Sequence, residues 1–302
     1  MTATVRPGDT APGQPAPPVE PAAASGAVAR RPRRHPSLRI GGGISPRLYV
    51  AVTAGSFLFL FALWVAITAT GTVSHLFLPS PAEVVDRLWG LASDGTLWAD
   101  VSVSVARIAV GFLLATALAI PLGILIGTYS FWEAAVEPMV DFVRYMPVVG
   151  FIPLTIIWIG IDDTQKWAII FIGTFFQEVL LVMDNVKRVP RDLVEIGYTL
   201  GERDRSILGR IILPSAAPGI WDTLRISLGW AWTWIVLAEL VAAGSGLGYR
   251  ITTAQRYFQT ETIIGYLIVL GILGLFTDQA MKFIGRRAVS YTHLTLPTKR
   301  IV

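Results

Sequence analysis

The sequence predicts an all-α polytopic membrane protein with six transmembrane helices and a short cytoplasmic helical segment between the fourth and the fifth. Three observations lead to this prediction. Hydrophobic residues make up 53% of the chain and charged residues only 15%, whereas a soluble domain carries about 25% charged residues. The apolar residues gather in six long runs, and the basic residues are concentrated in alternate connecting segments, as they are in multi-pass proteins.

Each apolar run is long enough to cross the hydrocarbon core of a bilayer, which needs about 20 helical residues. The runs are continuous rather than alternating, and a helix pairs its own backbone groups in lipid, so we expect helices and not strands. Pro147 and Pro153 lie inside the third run and are expected to kink it. The six expected spans are residues 48–70, 104–128, 136–161, 165–183, 223–243 and 262–284.

The distribution of basic residues predicts that both termini lie in the cytoplasm. In that orientation the inner regions are the two terminal segments and the loop 184–222, which together hold most of the arginines and lysines; the short inner loop after the second span adds none. The net charge of +4 then reflects membrane topology. We therefore expect this chain to lie in a lipid membrane and not to bind nucleic acid.

The two ends lie outside the predicted membrane domain, which covers residues 47–288. Residues 1–46 are rich in Pro, Ala and Gly and contain a cluster of arginines. Such a composition cannot bury enough apolar surface to fold, so we expect a disordered cytoplasmic tail. Residues 289–302 carry no helical apolar stripe, and we expect them to be a non-native or disordered tail.

The composition argues against several kinds of site. The chain has no cysteine and only three histidines, scattered at His35, His75 and His293, so a thiolate site is excluded and a metal cluster is not expected. No Gly-x-x-x-x-Gly-Lys-Ser/Thr phosphate loop occurs in the sequence. We expect a non-catalytic protein with no metal site and no cofactor of its own.

The loop 184–222 has the pattern of two short helices separated by a glycine turn. Pro190 fits a helix start, and Gly201 is placed to end that helix with a left-handed residue. A second helical stretch, residues 204–212, is expected to stop at Pro214. The first helix carries an apolar stripe, suited to a groove on a partner, at Leu193, Ile196 and Leu200.

The spacing inside this loop resembles the cytoplasmic signature of permeases of binding-protein-dependent ABC importers. That signature reads Glu-Ala-Ala, three residues, Gly, nine residues, then Ile-x-Leu-Pro. In this chain the two alanines are replaced by Ile196 and Gly197. The positions in register are Glu195, Gly197, Gly201, Ile211, Leu213 and Pro214. The resemblance implies that these residues form the coupling helix segment to which an ATPase binds.

Three further stretches resemble the nitrate/sulfonate/taurine-type branch of that family. They are Leu78-Pro79-Ser80-Pro81, Arg144-Tyr145-Met146-Pro147, and Ala238-Glu239-Leu240 with Gly246-Leu247-Gly248-Tyr249. The resemblance covers roughly residues 48–287. It implies a multi-pass permease subunit of the bacterial plasma (inner) membrane, with a type I importer fold.

The resemblance also implies partners and a cargo. Separate ABC ATPase subunits would bind and hydrolyse ATP, and an extracytoplasmic solute-binding protein would deliver a small anion such as nitrate, a sulfonate or taurine. A pyrimidine-type vitamin precursor is the alternative solute. A complete importer needs two permease halves, which a homodimer would supply; a second, different permease is the alternative.

Polar and aromatic residues inside the spans are candidates for the transport pathway. Glu178 lies deep in the fourth span, where a charge is costly and suggests a pathway or gating role. Glu239 lies near the end of the fifth span, where an interhelical ion pair is the other interpretation. Trp230 and Trp234 share one helix face and either line a pathway or pack against neighbouring helices.

Two other classes of protein are alternatives. A stand-alone secondary transporter would need mid-membrane coupling residues, for which only Glu178 qualifies. A membrane-bound enzyme would need clustered histidines or carboxylates.

Overall fold

The computed structural model describes residues 44–288, and every regular element in that range is a helix. The chain divides after Leu58 into two units, of which the first contributes only the start of α1 to the described residues. The predicted tails, 1–46 and 289–302, lie outside the described residues apart from residues 44–46. The helices are α1 Pro46–Ala69, α2 Pro81–Ser93, α3 Thr96–Thr128, α4 Ser130–Arg144, α5 Phe151–Ile159, α6 Asp163–Lys187, α7 Arg191–Thr199, α8 Asp204–Ile207, α9 Leu213–Ala242, α10 Leu247–Arg256 and α11 Thr260–Ala288.

Five helical segments within residues 44–288 are long and apolar enough to cross a membrane. They are α1, α3, α6, α11 and the continuous helix Asp204–Ala242, which contains α8 and α9. The bent pair α4 and α5 makes a sixth span if it is counted as one. The prediction of an all-α protein with six spans is confirmed when this bent pair is counted as one span.

The third span is not the single kinked helix expected over residues 136–161. α4 ends at Arg144, a 3-10 turn covers Val148–Gly150, and the second part of the pair is bent by 81° from the first. Pro147 explains the break, because it has no amide hydrogen and disfavours helical geometry in the residue before it. Pro153 lies in the first turn of α5, where amides have no intrahelical partner, so it interrupts nothing.

The second helix of the loop 184–222 does not stop at Pro214, as the sequence predicted. α8 passes through a π-helical turn, Leu208–Ile212, directly into α9. Pro214 occupies the second position of α9, and the π turn absorbs the local change in hydrogen-bond register next to it. The fifth span therefore continues without a break from the loop segment.

Small residues allow α3 and α6 to pack closely. α3 packs chiefly against α6, and a methyl group added at Gly123 would lie only 2.7 Å from the Val179 carbonyl oxygen and 2.7 Å from Val182 Cβ. Close backbone approach through small residues is a major packing device of helices in lipid. The contact face of α3 repeats a small residue every fourth position, at Gly111, Ala115, Ala119, Gly123 and Gly127.

Two short helices that the sequence interpretation did not include, α2 and α10, both pack against α11. α2 begins with a capping box, in which the Glu83 amide donates to Ser80 Oγ and the Ser80 amide donates to Glu83 Oε2 at 2.7 Å. The Ser-Pro-Ala-Glu sequence is typical of such a helix start. The largest buried apolar cluster joins α2, α3, α6, α9, α10 and α11.

Candidate functional site

The short helix α7 ends in a Schellman turn centred on Gly201. The Gly201 amide donates to the Tyr198 carbonyl at 2.9 Å, and the Glu202 amide donates to the Gly197 carbonyl at 3.1 Å. Gly201 has φ of +79°, a left-handed conformation that glycine adopts without the penalty of a Cβ atom. Position 201 therefore requires glycine for its backbone conformation and not for lack of space, since no atom lies within 4 Å of an added Cβ.

Gly197 has a different role, because it is the point where α7 touches the π turn. An added Cβ would lie 2.8 Å from Ile211 Cδ1 and 3.2 Å from Ile207 Cγ1. The glycine thus lets α7 lie directly on the start of the long helix. Leu213 is half-buried in the same segment, whereas Pro214 is exposed.

The outer face of α7 is apolar and exposed. Ile196 is 54% exposed and Leu200 is 77% exposed. Glu195 is also exposed, and within residues 44–288 its carboxylate has no hydrogen-bond or ion-pair partner. The hydrogen bond from the Tyr198 hydroxyl to Asp204 Oδ1, 3.1 Å long, raises the pKa of Tyr198. α7 is thus tied to α8 on one side and free for a partner on the other.

One continuous helix connects this loop segment to the middle of the membrane domain. It runs from Asp204 to Ala242, a length of 39 residues, or about 58 Å at 1.5 Å per residue. Its C-terminal half carries Trp230 and Trp234, which both line an open cavity of about 420 Å³. A movement that α7 passes to the start of this helix can therefore be transmitted along the helix to the cavity without passing through a loop.

The cavity lies at the break between α4 and the 3-10 turn. Its other polar walls are Arg144, Tyr145 and Gln177. Arg144 is held by Asp141 at 2.7 Å and donates to the Tyr145 hydroxyl at 2.9 Å. Trp234 lies over Gly173, where an added Cβ would be 2.6 Å from the indole ring, and its Nε1 is buried without a hydrogen-bond partner among residues 44–288.

Glu178 and Glu239, the two predicted pathway carboxylates, lie away from this cavity. Glu178 is fully buried and accepts a hydrogen bond from Thr116 Oγ1 at 3.1 Å, so it joins α6 to α3. Of the predicted pathway residues, the structure thus brings only the two tryptophans together at one cavity.

Glu239 lies in a buried ion pair, the second interpretation that the sequence allowed. Arg107 Nη1 donates to Glu239 Oε1 at 2.8 Å, and the Gly248 amide donates to Glu239 Oε2 at 2.9 Å. Arg107 also pairs with Asp163 at 2.7 Å. These bonds fix the turn between α9 and α10 against α3 and α6.

Several residues of the same polar network were missed by the sequence interpretation. Asp100 accepts hydrogen bonds from Arg250 at 2.8 Å and from the Tyr266 hydroxyl at 2.9 Å. Lys166 is almost fully buried and donates to the carbonyls of Ile161 and Ala242. Lys166 lies inside a predicted apolar run, which was an available signal, whereas Asp100 and Arg250 lie outside the predicted runs and are 150 positions apart in the sequence.

The part of the chain that the structure describes thus contains five or six apolar segments long enough to span a membrane, with the short helix α7 packed on the start of one of them. Residues 119–290 match the family described as the binding-protein-dependent transport system inner membrane component. A protein of Brucella melitensis named as an ABC transporter permease is 41% identical over 228 residues, which cover 76% of this chain and 92% of that protein. The taurine transport system permease protein TauC of Escherichia coli is 30% identical over 243 residues, 79% of this chain and 88% of TauC. Other relatives are named for transport of aliphatic sulfonates and import of nitrate.

Solved structures agree with this fold. The inward-facing MetNI methionine ABC transporter matches with a TM-score of 0.57 at 22% identity, over 64% of this chain and 95% of that chain. The chain therefore belongs to the family of binding-protein-dependent transport system inner membrane components, and it is the permease subunit of an ABC importer.

Proposed function

We propose that this permease subunit imports a small anion of the sulfonate, taurine or nitrate class, with ATP hydrolysed by separate ATPase subunits that bind α7. The observation that carries the proposal is the exposed apolar face of α7 at the end of the continuous helix 204–242. An exposed helix face of this kind fits a groove on a partner. The chain itself then has no catalytic role and needs no cofactor.

The coupling step in this proposal is mechanical. Closure of the ATPase subunits moves α7, and the contact of Gly197 with Ile211 and Ile207 passes that movement to the long helix. Trp230 and Trp234 then move with it relative to Arg144 and Gln177, which changes access to the cavity. ATP binding shifts the population between inward-open and outward-open states only as far as the ATPase contacts differ between them.

The proposed orientation follows from charge. Cytoplasmic segments of multi-pass proteins carry an excess of lysine and arginine. The loop around α7 holds six such residues, Lys187, Arg188, Arg191, Arg203, Arg205 and Arg210. We place this loop and both termini in the cytoplasm of a bacterium, with the protein in the inner membrane and the α2 and α10 side facing an extracytoplasmic solute-binding protein.

The cavity supports the choice of solute class. The guanidinium group of Arg144 and the primary amide of Gln177 are donors suited to the oxygens of a compact anion. The relatives named for taurine, sulfonates and nitrate point to the same class. Because the two indoles can also stack on a flat ring, a pyrimidine-type vitamin precursor is the second candidate. One copy supplies half of a pathway, so we propose a homodimer.

Uptake in proteoliposomes tests the proposal. The full chain is reconstituted with its ATPase and its solute-binding protein, whose ligand is first identified by calorimetry. We expect uptake only with ATP and with the ATPase chain present. Gly201→Val should abolish ATPase co-purification while membrane insertion is retained, whereas Gly201→Asn, which tolerates a left-handed backbone, should keep most of it. Uptake driven by an ion gradient without any ATPase would refute the proposal.

A further inference from the structure

A second cavity, of about 390 Å³, lies behind α7, where the loop segment meets the ends of α3 and α6. It is separate from the cavity at the tryptophans and shares no residue with it. Its polar walls are Thr128, Ser130, Glu133, Lys187 and Arg191. Apolar side chains, among them Val194 of α7, close the rest of it.

The charges around this cavity favour an anion. Lys187 Nζ is 2.9 Å from Glu133 Oε1 and 3.4 Å from Glu137 Oε2, so this cation is already shared by two carboxylates. Among residues 44–288 no carboxylate forms an ion pair with Arg191, the other cation in the wall. Because Glu133 and Glu137 already balance Lys187, the group left for an anion is the Arg191 guanidinium, which can bind phosphate oxygens through paired N–H donors.

Two helix N-termini add to this preference. Ser130 is the first residue of α4 and Arg191 is the first residue of α7, both line the cavity, and neither helix has a side-chain cap. The N-terminus of a helix carries a partial positive charge and amides without intrahelical partners. Ser130, which is exposed and lines the cavity, adds a hydroxyl that can donate to a bound oxygen.

We propose that this cavity binds a phosphate group, with Arg191 as its principal ligand. The group can come from the headgroup of an anionic phospholipid or from free phosphate, and the chemistry of recognition is the same. The cavity lies at the ends of two membrane spans and has apolar walls beside its cations. Basic pockets between spans on the cytoplasmic side bind the headgroups of anionic lipids in this manner.

An occupant of this cavity would touch α7, α6 and the α3–α4 turn at once. It would therefore hold the ATPase-docking helix against the spans and make the connection between them stiffer. This consequence rests on the proposed docking role of α7. The binding of phosphate does not, because it depends only on the walls of the cavity.

Native mass spectrometry of the permease–ATPase complex tests the site directly. The complex is purified in detergent, stripped of lipid, and titrated with phosphatidylglycerol, with phosphatidylcholine and with inorganic phosphate. We expect Arg191→Gln to weaken retention of phosphatidylglycerol about tenfold, which corresponds to about 1.4 kcal/mol. The matched control is Arg188→Gln, which removes the same charge three residues away from an exposed side chain outside the cavity and should leave retention unchanged.

Each outcome decides one point. Loss of phosphatidylglycerol with no binding of inorganic phosphate identifies a lipid headgroup, and binding of both identifies a phosphate site open to the cytoplasm. Equal retention in Arg191→Gln and Arg188→Gln overturns the proposal. So does loss of ATPase from Arg191→Gln with unchanged lipid retention, which would make Arg191 an ATPase contact. If phosphate binds but the ATPase does not require α7, the site stands and the proposed coupling role fails.

Discussion

Replacing Glu239 by glutamine is expected to destabilise the fold far more than replacing Asp163 by asparagine, although both carboxylates pair with Arg107. The two ion pairs have similar lengths, 2.8 Å to Glu239 and 2.7 Å to Asp163. They differ in their surroundings, because the Glu239 side chain is 0% exposed and the Asp163 side chain is 55% exposed. The comparison therefore tests chiefly the effect of burial, since the distances of the two ion pairs are nearly equal.

The expected magnitudes follow from that difference. Removing one member of a buried ion pair costs about 3–5 kcal/mol, because the remaining charge stays buried, while an exposed pair contributes about 0–1 kcal/mol. Glutamine keeps the shape of Glu239 and some of its bonds to Ser104 and Gly248, so we expect about 3 kcal/mol for Glu239→Gln. For a chain of this size 1 kcal/mol corresponds to roughly 2–4 °C in Tm, which gives a loss of about 6–12 °C.

Thermal unfolding in lipid nanodiscs, followed by tryptophan fluorescence, measures this effect. Asp163→Asn should lower Tm by no more than about 4 °C. The double variant Arg107→Met with Glu239→Leu removes both buried charges and should recover much of the stability lost in Glu239→Gln. Equal losses in Glu239→Gln and Asp163→Asn, or no recovery in the double variant, would refute the reasoning.

Three further predictions concern other parts of the molecule. Gly123→Ala should cost about 1–3 kcal/mol by overpacking α3 on the α6 backbone, whereas Gly271→Ala, which has no atom within 4 Å of the added methyl, should not lower Tm. The Ser80 amide and the His75 ring hold the pKa of Glu83 below its usual 4.5. The capping of α2 by the Glu83 carboxylate is therefore fully present above pH 4.5 and is lost as the pH falls through the lower pKa of the folded state. Amide protection in the first turn of α2 should decrease in that pH range in wild type but not in Glu83→Gln. Arg144→Gln should raise the half-saturating concentration for uptake severalfold by removing the cationic wall of the cavity, whereas Arg286→Gln, an exposed arginine on α11, should not; equal effects of the two would contradict this role.

The sequence was sufficient for the features that depend on local chemistry. Continuous apolar runs predicted the spans, because length and hydropathy alone decide whether a helix can cross lipid. Gly201 was predicted to end α7 in a left-handed turn, and its φ of +79° confirms this. The repeat of small residues from Gly111 to Gly127 was also visible in the sequence, although the close contact of α3 with α6 was not predicted from it.

Features that depend on tertiary contacts were not predictable from local rules. Pro214 normally stops a helix, yet here the π turn carries the chain into α9 while Gly197 rests on Ile211. Glu239 pairs with Arg107 across 132 positions of sequence, so no local pattern joins them. Tertiary packing therefore determines both the helical conformation at Pro214 and the ion pair of Glu239.

Crosslinking is the most direct test of the claim that α7 is where the ATPase acts. The chain has no cysteine, so single cysteines can be introduced without background. Leu200→Cys at the C-terminal end of α7, 77% exposed, is compared with Trp89→Cys on α2, 76% exposed, in the assembled importer. Each cysteine is labelled with a short maleimide–diazirine reagent, whose diazirine end inserts on illumination into whatever lies beside it. We expect a permease–ATPase crosslink from Leu200→Cys and none from Trp89→Cys. A crosslink to the ATPase from Trp89→Cys, with none from Leu200→Cys, would contradict the claim.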